Sequence, residues 1–583
     1  MADNFELGKK EAMSAGLLLR RFENYWDAQS DRFDSFEDYY KAYRFYRDPE
    51  SHPYKYNVSK PFVFTICTSF AAHILNSLYE RNKIFDVMPT EGYHQFNPNI
   101  MDEQIAYQLE KVLNYYIFQP EFYFFEEMYD FVLGLGIYGN AVSQTVPMFT
   151  KDEEGQMNWQ GSKTQYIDIF DFVPRPYMYL LDERQDFFVR EIVDRDMFPK
   201  IAKERGYKNW EYVGDDSVYP EDIKEILFSE LNLQTAFQNG VDRKGRVLLA
   251  HYHKDGHIIT LGGNTVIVKD TREPVEVGNT GKRMKIKPFP FFPYDSLKLS
   301  APPKEFYGIG LAEVAKQYQD NANLRGSQRQ ENIELGLMKT FIINYLYDID
   351  PETVVIGAGN IIPVNDIHNS IKVLDIPDIT RSSYEEDQVE KFEAQDATGL
   401  NETLRGTMSK VHTATTDILA EKAAQVRMQV VKRGFSNVIR SIGKKMIKQI
   451  HTWLPKEQYE RILGQPDAGL YALSSYDLDH MFDITPSASG LEFIRAQDQA
   501  NFVQAAQLMM QSDKVEHTEL IKEYFRQFFP HVNPEKFIKK VDEMMPPQMG
   551  GEPGQGGSPP SINSPGIGQG NFSPMDILQG QAN

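Results

Sequence analysis

The sequence predicts an α+β protein, mostly helical, with several modules. Three observations carry that expectation. Apolar residues recur at helical spacing through the first 150 or so positions. Short alternating runs broken by Pro and Gly fill 164–300. Two long helical stretches then follow, at 311–337 and 416–454. A chain of 583 residues, 41% hydrophobic and 25% charged, is ordinary for globular protein and long enough to bury several cores. Its 38 Phe and 32 Tyr point to extensive burial within or between subunits.

Residues 1–150 read mostly as helix. Phe36, Tyr39, Tyr40 and Tyr43 keep helical spacing, as do Ile66, Phe70, Ile74 and Leu78, and again Ile105, Leu109, Val112 and Tyr116. Pro61 suits the start of the second of these helices, where its missing N–H costs nothing. Gly134, Gly136 and Gly139 are expected to break the next helix, and 140–148 to run as a strand. Further strands are expected at 166–172, 178–181 and 187–192, around Pro174 and Pro176. A helical interlude covers 197–238. Residues 246–253 and 257–261 form a hairpin across Lys254-Asp255-Gly256, which favours tight reversal. Runs at 266–269 and 284–287 continue the sheet.

The stretch 311–337 is helical, ~40 Å long at the standard rise. It carries Gln317, Gln319, Asp320, Asn321, Asn323, Gln328, Arg329, Gln330, Glu331 and Asn332. So polar a helix is expected either to be solvated or to pack against copies of itself. Gly326 and Gly336 allow close approach of a neighbouring backbone. Residues 341–378 form a small, mostly extended insert, with strand-like runs at 341–346, 353–356, 361–364 and 371–374. A shorter helix follows at 382–396, then a Gly/Thr/Ser/Asn-rich loop at 397–415. The helix at 416–454 is expected to bend at Gly434 or Gly443. Its apolar stripe is Val431, Phe435, Val438, Ile442, Met446 and Ile450. Smaller helices and a strand at 481–484 fill 455–544. Gly, Pro, Gln and Ser dominate 545–583, a composition expected to stay disordered.

The net charge is −21. It serves solubility, or it marks surfaces that must not stick to a polyanion. Either way it excludes a simple basic nucleic-acid binder. Cys67, the single cysteine, permits no intrachain disulfide and no cysteine-based zinc site, and fits a reducing cytoplasm. The charged first ten residues lack a secretory apolar core. The most apolar windows, 61–75 and 122–137, fall short of the ~20 residues a bilayer needs. A soluble protein without a membrane partner is expected.

Glu305-Phe306-Tyr307-Gly308-Ile309-Gly310, followed by Gln317, Asn323 and the polar helix, resembles the entry to the stem of tailed-bacteriophage portal proteins, the head-to-tail connectors. Asp171-Phe172-Val173-Pro174-Arg175-Pro176 resembles a strand segment of their wing. Thr413-Ala414-Thr415-Thr416 before a long helix resembles their loop-to-kinked-helix passage. The likeness spans roughly 60–545, and it rests on the order and spacing of elements more than on any one motif. It implies a wing at 1–310, helical first and then α+β. A first stem helix at 311–338, a clip at 339–378 and a second stem helix at 379–398 follow. A tunnel loop at 399–415 leads to a kinked helix and return to the wing at 416–490. A crown at 491–544 and the disordered tail at 545–583 complete the chain.

The resemblance further implies a homo-oligomeric ring, usually of twelve subunits, at one capsid vertex of the virion, assembled in the host cytoplasm. Double-stranded DNA passes through it during packaging and ejection without being read. The terminase large subunit docks on the clip, head-completion or adaptor proteins later replace it, and the major capsid or scaffold protein surrounds it. The alternative is another ring-forming head–tail protein, an adaptor or a capsid-associated one.

Three groups of charged residues become candidates. Glu385, Glu386, Glu390 and Glu393 lie on the acidic second stem helix: a solvated face, or a channel wall that repels phosphates. Arg405, Lys410 and His412 lie in the tunnel loop: a surface loop, or groups that touch phosphates without reading bases. Lys422, Arg427, Lys432 and Arg433 lie on the long basic helix: a solvated face, or partners for acidic surfaces of adjacent subunits, with DNA contact for part of it. Arg440, Lys444, Lys445 and Lys448 extend that basic set. His251, His253 and His257 alternate as strand residues that share a face, but no cysteine accompanies them and a hairpin surface is the expectation. The chain lacks both a Walker-type Gly-x-x-x-x-Gly-Lys-Ser/Thr run and a Gly-x-Ser-x-Gly elbow. A packaging ATPase or hydrolase is therefore disfavoured, and neither catalytic residues, metal nor cofactor is expected.

Overall fold

Apolar periodicity in the first quarter of the chain becomes five helices. They are α1 Ala2–Asp27, α2 Ser30–Tyr43, α3 Phe62–Tyr79, α4 Asp102–Ile117 and α5 Phe124–Tyr138. These come from a computed structural model that describes residues 2–48, 53–79, 83–90, 102–151, 157–214, 246–263, 266–272, 275–276, 283–284, 288–300, 302–337, 341–344, 346, 366, 368, 371–373, 380–399 and 414–486. The chain divides into two compact units, Met1–Phe493 and Ile494–Asn583, and everything described belongs to the first. The expected crown and tail lie outside the described residues, as do most of the clip and helical interlude and the tunnel loop from 400 to 413.

The α+β class holds. The later helices are α6 Phe198–Glu204, α7 Leu311–Leu337, α8 Thr380–Thr398, α9 Ala414–Trp453, α10 Lys456–Leu463 and α11 Ser475–Met481. The strands are β1 Phe85–Pro89, β2 Asn140–Lys151, β3 Met157–Ile167, β4 Phe172–Pro174, β5 Phe187–Asp194, β6 Arg246–Lys254, β7 His257–Gly262, β8 Val266–Asp270, β9 Val275–Glu276, β10 Arg283–Met284, β11 Tyr294–Lys298, β12 Phe341–Ile343, β13 Ile371–Val373 and β14 Phe482–Pro486. Two antiparallel sheets form the body, ordered β11-β2-β3 and β4-β5-β6-β7-β8. The expected hairpin is β6–β7. Asp255 and Gly256 have φ of 50° and 76°, the left-handed pair that a two-residue turn between twisted strands requires.

Aromatic side chains join the helices to the sheets. Phe36 of α2 meets Tyr138, Phe170 and Tyr307 edge to face, and Phe22 of α1 meets Phe188 of β5 at 5.3 Å. The apolar stripe of α9 lies across the smaller sheet and the β1–β14 pair, with Phe435, Val438, Ile442, Met446 and Ile450 all buried. β1 and β14, far apart in sequence, pair antiparallel from Phe85↔Pro486 to Pro89↔Phe482.

Several expectations are corrected. Residues 178–181 form no strand. β1 and β11 carry no strand signal strong enough to be expected, because each is short and becomes a strand only through a distant partner. α5 runs through Gly134 and Gly136, which admit Tyr166 and Phe70 at close range, and only Gly139 ends it, at φ +77°. The expected single long helix holds, and α9 continues through Gly434 and Gly443. Those glycines seat Leu297 and the Phe85–Ile484 pair against the helix.

Glycine matters most where Gly308 and Gly310 cross the α5–β2 junction. Leu299 N–H donates to Gly139 O at 3.0 Å, and Ile309 N–H to Ser300 O at 2.9 Å. A Cβ on Gly308 would collide with Gly139 O, and one on Gly310 with Ile137 O, both backbone atoms. Gly308→Ala is expected to cost about 2–3 kcal/mol, from overpacking against atoms that cannot yield. Gly206→Ala, at φ +66° but in open space, should cost only ~1 kcal/mol. Denaturant titration of the two variants checks this; equal losses would show that the crossing is not tight.

Candidate functional site

The polar helix α7 buries one stripe of its polar residues, which the sequence reading did not anticipate. Gln319, Asn323, Ser327 and Arg329 are all buried. A buried polar group needs a partner, and each finds one inside this chain. Gln319 accepts from Val63 N–H at 2.9 Å and donates to Ala42 O at 2.9 Å. Asn323 Oδ1 accepts from Lys60 N–H at 2.7 Å. Ser327 Oγ accepts from Arg47 at 2.8 Å and from Val58 N–H at 3.3 Å. These side chains hold the irregular segment between α2 and α3 and meet the unpaired N–H groups at the start of α3. Gly326 lets Val58 lie on the helix. Partners within the chain explain the buried part of the polarity of α7, while Gln317, Asp320, Gln328 and Gln330 stay exposed as a solvated face would be.

α8 runs antiparallel beside α7, and the seam between them is charged. Arg325 meets Glu390 at 2.7 Å and Glu386 at 3.8 Å. Arg329 and Lys60 converge on Asp387 at 2.5 and 2.6 Å, and the Arg329 guanidinium lies 4.3 Å over the Tyr384 ring. Burial pushes the Asp387 carboxyl up, but hydrogen bonds from Lys60 and Arg329 outweigh it and hold the group below the usual carboxylate range. The Arg325–Glu390 contact is a charge contact and not an aligned hydrogen bond.

The four expected wall carboxylates therefore separate. Glu385, Glu386 and Glu393 are exposed. Glu390 is 5% exposed and turned onto Arg325, so it belongs to the seam and is withdrawn from the wall set. Arg405, Lys410 and His412 lie outside the described residues. Lys422 and Arg427 stand on α9 with side chains outside the described set. Arg433 is exposed, and Lys432 is half-buried beside His73.

Three of the remaining basic residues serve the chain itself, a correction to their assignment to adjacent subunits, while Lys444 is exposed. Arg440 donates to Ile484 O at 2.9 Å, and Lys448 pairs with Asp479 at 2.8 Å. Buried Lys445 donates to Tyr294 O and pairs with Asp295 at 2.6 Å. Burial lowers its pKa even with that carboxylate alongside.

His253 and His251 do not lie on a hairpin surface, while His257 stands half-buried at the hairpin turn. His253 is buried, stacks on Phe187 at 4.9 Å and shares a 2.8 Å hydrogen bond with the Tyr294 hydroxyl. Burial, and then the neighbouring His251, push its pKa well down. His251 bridges Glu191 at 2.9 Å and Thr260 at 3.0 Å. Burial of Glu191 raises its pKa, but His251 and Arg205 outweigh this and hold the carboxyl at about 2.

The segments singled out as motifs meet in space. Phe306 stacks on Phe172 at 5.5 Å, Asn140 donates to Phe306 O at 3.2 Å, and Gln29 links Pro174 O to the Tyr307 hydroxyl. They form a structural junction at the root of α7. A cleft of about 540 Å³ beside it is lined by Asp38, Lys41, Tyr46, Asp48, Lys316 and Asp320. Lys41 is held by Glu37 at 2.6 Å and Lys316 by Asp320 at 2.9 Å. The sequence reading missed Arg325 and Lys60 as seam residues. Their signal was the match of Arg325 and Arg329, four apart, to Asp387 and Glu390, three apart. No family model matches the chain, and no curated protein matches it in sequence.

Two pH effects are expected. The Asp387 contribution is present above its unfolded value of about 4 and fades as pH falls toward its lower folded value. Asp387→Asn should remove that dependence and, by leaving Lys60 and Arg329 without a counter-charge, cost about 1–3 kcal/mol. His73 is held at about 4 by burial and by Lys432, against about 6.5 unfolded. The unfolded chain thus binds more protons between those values, and stability should fall as pH drops from 6.5 to about 4. His73→Gln should flatten that slope in denaturant titrations across the window.

Proposed function

We propose that this chain is a tailed-phage portal protein, a subunit of a ring-shaped conduit that passes double-stranded DNA at one capsid vertex. What carries the reading is the excursion between Leu311 and Thr398. α7 leaves the α+β body, β12 and β13 pair antiparallel from Phe341↔Val373 to Ile343↔Ile371, and α8 returns along α7. That is the stem–clip–stem order the resemblance implies, followed by a long helix across the body. The net charge of −21 supports it as well, since a passage for DNA must repel phosphates and not hold them.

In this reading α7 and α8 are the stem, β12 and β13 belong to the clip, and 399–415 is the loop that projects toward DNA. Glu386 and Glu393, seven residues apart on one flank of α8, present carboxylates to the bore, and ring symmetry multiplies them. The terminase large subunit docks at the clip during packaging. Head-completion or adaptor proteins take its place afterwards, and the capsid or scaffold protein surrounds the ring in the virion. The portal itself hydrolyses nothing.

Electron microscopy of the purified chain should show rings with a central hole; monomers with ATPase or nuclease activity would overturn the proposal. Glu386→Lys with Glu393→Lys should leave rings intact and lower the DNA packaged per particle. Unchanged packaging would remove α8 from the DNA path. Shortening 399–415 should likewise spare the ring and reduce packaged DNA.

A further inference from the structure

We infer that the flank of α8 bearing Val389 and Phe392 is a contact between subunits, and that it takes the exposed face of α9 around Val430 and Arg433 in a second copy of this chain. The inference rests on the ring proposed above and names which surfaces close it.

α8 has three sides. Asp387, Glu390, Ala394 and Thr398 recur at i, i+3, i+7 and i+11 and face α7 within the same chain. Glu386 and Glu393 form a second flank. Glu385, Val389, Phe392 and Asp396, at i, i+4, i+7 and i+11, form the third. On that third flank Phe392 is 71% exposed and Val389 52%. An apolar pair among carboxylates has no counterpart on DNA, whose phosphates those carboxylates repel. It suits a protein surface with an apolar centre and a basic rim.

α9 offers such a surface. Its inner stripe is spent on the sheet, while Val430 is 71% exposed, Arg433 follows one turn later, and Lys444 is exposed farther along. Centring Phe392 and Val389 on Val430 puts Arg433 within a turn of the carboxylates of α8. Like-charged faces are excluded, so the pairing is head to tail, α8 of one copy on α9 of the next. A repeated head-to-tail contact closes into a ring when its rotation divides a full turn, which is the geometry of the ring proposed above.

The single native cysteine makes the test clean. Cys67 is fully buried, and burial pushes its thiol pKa up, so it does not compete for a thiol reagent. Phe392→Cys combined with Val430→Cys, treated with a short bifunctional maleimide, should give a ladder of linked multimers from the ring, and each single variant should not. Phe392→Asp should raise the concentration needed for assembly about tenfold, with the circular dichroism of the subunit unchanged because residue 392 is exposed within it. Arg433→Glu should shift assembly in the same direction. Rings that form normally without cross-linking, or that tolerate Phe392→Asp, would overturn this contact and leave the conduit standing. Absence of rings from the unmodified chain would overturn the conduit, and this contact with it.

Discussion

A polar atom taken out of water must find another polar atom, and on α7 that requirement ties three parts of the chain together. Gln319, Asn323 and Ser327 recur one turn apart and meet, in order, backbone groups at residues 63, 60 and 58. The described residues between α2 and α3, 44–48 and 53–61, lie in neither helix nor strand, and the side chains of α7 supply partners for amides among them. A one-residue slip of α7 would leave all three bonds unmade. The helix is thereby set in register against the body.

The same logic runs along the seam with α8, in charges instead of amides. Asp387 is shared between Lys60, which precedes α3, and Arg329 of α7, so one carboxylate links α8 both to α7 and to the body. Leu311, Ala312, Ala315 and Ala322 on α7 and Ala394 on α8 are the apolar groups buried among the described residues of the two helices. With so little apolar area, orientation comes from geometry and charge. Such pairs contribute modestly where exposed, but removing one partner of a buried pair is costly. α8 is thereby fixed on α7 by one face while Glu385, Val389, Phe392 and Glu393 stay exposed.

The segment before α7 explains why its motif takes the form it does. Phe306 and Tyr307 are anchored among the aromatics of α2 and β4, while Gly308 and Gly310 pass the α5–β2 junction where backbone touches backbone. The run is aromatic where it must hold and glycine where nothing larger fits. No chemistry is assigned to it, and none is needed to explain its composition.

Periodicity made the helices legible, because helical spacing is a local property: the places of α2 to α4, and the full lengths of α7 and α9 to within a few residues. So was the β6–β7 hairpin, since Asp255 and Gly256 tolerate the left-handed turn wherever they occur. The acidic outer face of α8 was legible too, being a matter of composition. What tertiary structure decided was every question of partnership. β1 and β11 are strands only because β14 and β2 lie beside them, and Gly134 and Gly136 stay helical because Tyr166 and Phe70 need the space. Glu390 left the wall set because Arg325 faces it, and Arg440, Lys445 and Lys448 serve their own chain because β14, β11 and α11 present acceptors. The polarity of α7 could be read from the sequence, but its burial could not. A glutamine looks the same whether it meets water or an amide 256 residues away, and only the folded chain brings that amide within reach.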